Sequence, residues 1–289
     1  MPSLTSGLLY LIASVACSVS VAVLLKVARR YDIAIRQAIA ANYAVTAILS
    51  AIVLGPTTAQ VESAIQSWPL LLTLGIILPT GFIAMAQSVR HAGIVRSDAA
   101  QRLSLFLPLL AAFLLFGENI TWHKAAAIAL AFTALFCILR RRDHTTNIAA
   151  GSHTWIWPLG VWITYGLVDI LFKQVAKTGT AFAGALLIAL VLAGIAMTAY
   201  LLIRRIAWHP RHLLAGVILG LLNFGNIVTY IRAHQSLPDN PALVFASMNM
   251  GVIAAGTVVG ALAFREPLSR INLLGLLIAA AAIFLMMPA

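Results

Sequence analysis

Long apolar runs alternate with short polar breaks along the whole chain. Runs of about 18 to 25 residues are long enough to cross a hydrocarbon core as helices at 1.5 Å per residue. They lack the strict alternation of polar and apolar positions that barrel strands require. Inside a bilayer every backbone N–H and C=O must be paired internally, so helices are the remaining solution. The pattern predicts spans over residues 6–27, 35–54, 68–89, 98–116 and 121–139. A basic and polar break, "RRRDHTTNIAAGSH", follows at residues 140–153. A second set is expected over 155–176, 181–203, 212–233, 241–264 and 269–287. The breaks "GPTTAQVESAIQ", "GEN", "LPDNP" and "REPLS" hold the Gly, Pro, Asn and Asp that end helices. The expected fold class is all-α, a polytopic membrane protein of ten transmembrane helices.

The halves echo each other. "FGENITWHKAAAIALAFTALFCIL", from Phe116, and "FREPLSRINLLGLLIAAAAIFLMM", from Phe264, share one order: Phe, any residue, Glu, a polar turn, an apolar run. Glu266 minus Glu118 gives 148, and so does Phe264 minus Phe116. Gln87-Ser88 returns as Gln235-Ser236 and Val27-Ala28 as Val175-Ala176 at the same offset. The expected organisation is a repeat over 1–142, a linker over 143–153 and a second repeat over 154–289. Each repeat holds five spans. Five is odd, so the second copy enters the membrane from the opposite side, giving an inverted repeat of the kind that recurs in secondary transporters.

These residues resemble the two EamA-type repeats of the drug/metabolite transporter superfamily. Gly117-Glu118 and Arg265-Glu266-Pro267 stand where that family has its Gly-Glu turn, and Pro108 fits its pattern in the preceding helix. The resemblance covers nearly the whole chain and rests on a short motif. It implies a ten-helix carrier with a central cavity between repeats, moving small metabolites in or out. In the second repeat Arg265 replaces Gly, and Met250 and Gly256 stand where Arg102 and Pro108 would align.

Composition narrows the class further. The chain of 289 residues is 62% hydrophobic and 9% charged, with a mean hydropathy of +0.98; soluble domains carry about 25% charged residues. Its net charge of +11 suggests no nucleic-acid partner, because the basic residues lie in short loops and at helix ends, where they orient membrane proteins. One set of alternate breaks holds Lys26, Arg29, Arg30 and Arg36; Arg90, Arg96 and Arg102; Arg140, Arg141 and Arg142; Arg204, Arg205 and Arg211; and Arg265 and Arg270, 15 in all. The opposite side has 4: Lys124, Lys173, Lys177 and Arg232. Positive loops stay cytoplasmic, so both termini are expected outside a bacterial inner membrane. The N-terminus lacks a basic leader region, so the first helix is expected to stay. Cys17 and Cys137 fall inside apolar runs and read as small buried residues.

Ionisable and amide groups at membrane depth each need a reason, since a charge there costs at least about 2.5–3.5 kcal/mol on insertion scales. Asp169 lies mid-span with Lys173 four residues on, a spacing that allows pairing along the helix. The pair either neutralises itself for insertion, or it rearranges between states, with Asp169 titrating or Lys173 engaging an anionic substrate group. Asp98 and Arg102 repeat the spacing near the start of the fourth span, where Arg can snorkel. Asn223, Asn226 and Tyr230 share a face of the eighth span and are expected to line a cavity. Asn42 and Gln37 in the second span are either interhelical glue or cavity lining. Tyr165, with Thr164, Ser247 and Asn249, is a further cavity candidate. Ser14, Ser18 and Ser20 can satisfy themselves on their own helix backbone and are assigned no role. Glu118 and Glu266 read as caps of helix N-termini beside their turns. Pro79, Gly81 and Pro108 predict kinks, and Gly216-x-x-x-Gly220 and Gly256-x-x-x-Gly260 predict close crossings.

The expected function is a secondary transporter, exporter or facilitator, for small metabolites such as amino acids or drug-like amines, with proton coupling through Asp169 or none. A flippase for a lipid-linked or amphipathic substrate is the alternative. Enzyme chemistry is not expected, because no loop gathers carboxylates, His and a nucleophile. Neither a P-loop nor a metal-type spacing is present, so no cofactor or metal is expected. The expected partners are a small-molecule substrate and membrane lipids, and no oligomeric state is read from the sequence.

Overall fold

The computed structural model describes residues 4–108, 110–111, 122–139, 155–178, 181–237 and 241–285. Those residues are all-helical. The elements are α1 Leu4–Arg30, α2 Ile35–Leu49 with a π-helical end at Ser50–Leu54, α3 Thr58–Ile65, α4 Trp68–Ala92 and α5 Ile94–Leu103. They continue as α6 Trp122–Leu139, α7 Ile156–Lys177, α8 Phe182–Ile203, α9 Pro210–Ser236, α10 Pro241–Ala263 and α11 Arg270–Leu285. Among the described residues 6 helices are long and apolar enough to cross a membrane: α1, α2 with its π-helical end, α4, α7, α8 and α9. Shorter apolar helices run over Ala125–Ile138, Ser247–Ala263 and Arg270–Leu285. Glu118 with the turn around it, and the whole linker over 143–153, lie outside the described residues.

Apolar side chains cover the outside as well as the core. Ile52 (72% exposed), Phe136 (69%) and Leu277 (69%) stand on outer faces. A soluble monomer rarely exposes so much apolar area, whereas a lipid-facing surface requires it. Trp68, Trp122 and Trp155 are exposed at helix ends, where indole rings favour the membrane interface.

Two breaks differ from the sequence reading for local reasons. Residues 55–66, expected as a loop, contain α3. Thr57 accepts from Gln60 N, and Gln60 Oε1 accepts from Thr57 N, a reciprocal cap that starts the helix. The basic stretch over 90–97, expected as a loop between spans, is mostly helix, and α4 passes to α5 through Gly93 alone. Gly93 has φ +93°, a conformation that side chains with a Cβ rarely adopt. The helix also continues through Pro79.

α5 is the most central element. Ile94, Ala99, Ala100 and Leu103 are each 0% exposed, although its sequence "IVRSDAAQRL" is the most polar of the helices. Neighbours accept its polar groups. Ser97 shares a 2.7 Å hydrogen bond with Ser88 of α4. Arg96 Nη2 donates to Asn272 Oδ1 of α11 at 3.4 Å.

Small residues set the close crossings. A Cβ at Gly216 would lie 2.3 Å from Ala38 O, and one at Gly220 2.7 Å from Val45 Cβ, so α9 seats directly on α2. Gly256 and Gly260 bring α10 onto α5, beside Asp98 and Val95 respectively. The wider packing joins α1 to α9 and α10, α2 to α8 and α9, α4 to α7 and α8, α5 to α7 and α10, and α6 to α11.

Candidate functional site

Two adjoining lobes open where helices of the first and second halves face each other. The larger, about 390 Å³, is walled by Tyr43 of α2, Phe82 of α4, Phe172 of α7, Leu186 and Leu190 of α8 and Asn223 of α9. The smaller, about 260 Å³, is walled by Arg102 of α5, Tyr230 of α9 and Phe245, Met248 and Asn249 of α10. Gln101, Tyr165, Asp169, Phe182, Asn226 and Ile227 belong to both. The larger lobe is mainly apolar and aromatic, and Arg102 lines the smaller one.

The last turn of α5 directs Arg102 inward. Its Nη2 donates to Ser18 Oγ of α1 at 2.8 Å and its Nη1 to Asn249 Oδ1 of α10 at 3.4 Å. Asn249 is oriented in turn, since its Nδ2 donates to Phe245 O at 2.8 Å and so presents Oδ1 to the guanidinium. Nε of Arg102 is enclosed without a hydrogen-bond partner. Neutral acceptors thus hold the guanidinium while its charge stays unneutralised by contact.

Asp169 lies at the junction of the lobes, one turn of α7 from Tyr165 on the same face. It makes no hydrogen bond or ion pair among the described residues. Its electrostatic partner is Arg102 across the cavity, and Lys173, the partner its spacing suggests, lines neither lobe. Asp98 makes no ion-pair contact with Arg102, yet it is the carboxylate that acts on that guanidinium most strongly. It is 2% exposed, its Oδ2 has no hydrogen-bond partner, and it abuts Gly256 on α10, lining neither lobe.

The amide candidates divide. Asn226 Oδ1 accepts from Ser14 Oγ of α1 at 2.8 Å, which leaves its Nδ2 to the cavity. Asn223 Nδ2 donates to Asn42 Oδ1 at 3.2 Å. Asn42 is 0% exposed and works as a tie between α2 and α9. Gln37 donates to Ala207 O at 2.8 Å and accepts from His209 N at 3.1 Å, fastening the loop before α9. Neither Asn42 nor Gln37 lines a lobe; Asn223, Asn226, Tyr230 and Tyr165 do. Ser14 and Ser18, assigned no role above, hold the two groups that face the cavity, and Gln101 lines both lobes. Ser14 and Ser18 are four residues apart on one face of α1, a spacing that marks a polar stripe.

Glu266 closes one end. It accepts from Ile94 N at 2.7 Å and Val95 N at 3.2 Å, capping α5 across the molecule. Lys26 Nζ of α1 reaches it at 3.2 Å. A Cβ at Gly93 would lie 2.5 Å from Glu266 Oε2. On the same face Arg29 donates to Arg90 O at 3.2 Å, and Arg211 donates to Tyr31 O. The lobes extend the other way, towards Phe182 in the first turn of α8, Ile231 near the end of α9 and Phe245 near the start of α10. Among the described residues no three of His, Cys, Asp or Glu gather as metal ligands would.

Residues 5–140 match the model of the EamA-like transporter family. An uncharacterized protein of Haemophilus influenzae is 47% identical over 279 residues, covering 95% of this chain and 96% of its own. A solved protein crystal structure superposes with a TM-score of 0.58 over 98% of this chain and 96% of that chain, at 15% identity. At that identity the likeness concerns the fold alone.

Proposed function

The chain belongs to the EamA-like transporter family, membrane transporters of small solutes, and from that premise we infer that it is a secondary carrier for small amphipathic metabolites such as amino acids or amines. The observation that carries this reading is the central cavity, walled by polar, charged and aromatic side chains from both halves of an apolar helical bundle. A carrier needs a polar site at membrane depth that two halves can expose in turn.

The packing supports two opposed repeats, over 1–142 and 154–289. Shifting residue numbers by 148 takes α1 to α7, α2 to α8, α4 to α9, α5 to α10 and α6 to α11. The most extensive contacts obey the same exchange. α1 packs on α9 as α7 packs on α4, α2 on α9 as α8 on α4, and α1 on α10 as α7 on α5. The pairs α2–α8, α5–α10 and α6–α11, which exchange into themselves, also touch. Such a pattern suits ten helices related by an axis in the membrane plane. Asp169, the one carboxylate lining the lobes among the described residues, is the candidate for proton coupling.

The test is flux into proteoliposomes, using labelled amino acids, amines and nucleobases with and without an imposed pH gradient. Saturable uptake of one class is the expected outcome, with dependence on the pH gradient lost in Asp169→Asn. Fluorescent phospholipid crossing between leaflets, without solute uptake, would replace the carrier by a flippase. Absence of both would end the transport reading.

A further inference from the structure

Arg102 and Asp169 put opposite charges on one cavity without touching each other. Each meets the cavity rather than a counter-ion within contact distance among the described residues. Guanidinium has five N–H donors. Arg102 spends one on Ser18 and one on Asn249, both neutral acceptors. These bonds fix its orientation, and with Nε enclosed they leave one N–H on each Nη for an anion; a carboxylate is the group whose two oxygens match that pair. Asn226 adds a donor beside it, because Ser14 occupies its Oδ1 and turns Nδ2 to the cavity. Asp169 has no N–H or O–H donor directed at it by the described residues, and the aromatic rings of Tyr165 and Phe172 stand on the same wall. A carboxylate beside ring faces is a site for an ammonium group.

On the carrier reading given above, we propose that this cavity selects zwitterions, holding the carboxylate of an α-amino acid at Arg102 and Asn226 and its ammonium at Asp169. The side chain then enters the larger lobe. That lobe, about 390 Å³ and lined by Phe82, Phe172, Leu186 and Leu190, suits a branched or aromatic side chain and offers little to a charged one. Asp98 acts on Arg102 at a distance but does not reach the ligand, since it is buried against Gly256 outside both lobes. An amine alone leaves Arg102 unmatched, and a carboxylic acid alone leaves Asp169 unmatched; a buried charge without its partner is the arrangement a selective site penalises.

The full-length protein in detergent or nanodiscs is titrated with L-phenylalanine, phenethylamine and 3-phenylpropionate, then with L-leucine, isoamylamine and 4-methylpentanoate. Each trio shares one side chain and differs only in charge. The amino acid is expected to bind at least about tenfold tighter than either single-charge analogue. Arg102→Gln is expected to remove the preference over the amine, and Asp169→Asn the preference over the acid. The wild-type titrations stand without the variants, so misfolding of either leaves the central comparison intact. An amine that binds as well as the amino acid overturns the proposal and leaves a cation carrier. Transport of another solute with no binding of these six probes also overturns it while the carrier stands. Loss of all flux removes both.

Discussion

A single added methyl group tests the crossing of α9 on α2. At Gly216 it would meet backbone, Ala38 O at 2.3 Å, as well as Ala41 Cβ at 2.6 Å, and α2 would have to move. At Gly160 the nearest atom is Ala84 Cβ at 3.9 Å, so the same change meets ordinary contact. Gly216→Ala is expected to destabilise by about 1–3 kcal/mol, as overpacking does, whereas Gly160→Ala stabilises by about 0.4–1 kcal/mol through the less flexible unfolded chain. Thermal unfolding in one detergent should therefore shift in opposite directions. A Gly216→Ala protein melting at or above wild type would disprove the seat of α9 on α2. At this scale the sequence shows which residues are polar and what stripe they occupy, and that was enough to mark Asn223, Asn226 and Tyr230. It does not show how a helix is rotated against neighbours distant in the chain. Asp169 and Lys173 share a face by spacing, yet the partner across the cavity is Arg102. Ser18 could satisfy itself on α1, yet it accepts from Arg102, 84 positions away.

Between elements, the tie at Glu266 is the clearest candidate for a moving part. It joins the turn between α10 and α11 to the start of α5 and to α1, which are segments of opposite halves. The sequence marked both Phe-x-Glu turns and a capping role, but the capped helix lies 172 positions away from Glu266, a separation that no local pattern reveals. If the repeats rock, this face must open when the other closes. A side-chain cap and a partly buried ion pair are each worth about 1 kcal/mol, so weakening them shifts a two-state balance by about fivefold or more. Ser88 lies 0% exposed behind this face and serves as a reporter when replaced by Cys, with Cys17 and Cys137 changed to Ala. Glu266→Gln is expected to speed maleimide labelling of that cysteine about fivefold, and Lys26→Met to do the same. Labelling rates equal to the unmodified background would mean that the tie caps α5 without holding the face shut.

For the whole molecule, the helical class was legible because hydrocarbon leaves the backbone few options and long apolar runs are hard to mistake. The short amphipathic α3 and the one-residue joint at Gly93 were not, since each depends on a cap or on a partner from elsewhere in the chain. Charge distribution carries the remaining question, which side faces the cell interior. The ties at Lys26–Glu266, Arg29–Arg90 and Arg211–Tyr31 place basic segments on one face, while the lobes extend towards the face that holds Phe182 and Phe245. Positive segments are retained in the cytoplasm, so the closed face is expected inside and the cavity in reach of the exterior. An alkaline phosphatase fused after Ala289 is expected to be active and a green fluorescent protein at the same point dark. A membrane-impermeant maleimide should label Phe182→Cys in intact cells, in the same background lacking Cys17 and Cys137. A bright, phosphatase-silent fusion together with unlabelled Phe182→Cys would reverse the chain in the membrane, and the cavity would then receive its solute from the cytoplasm.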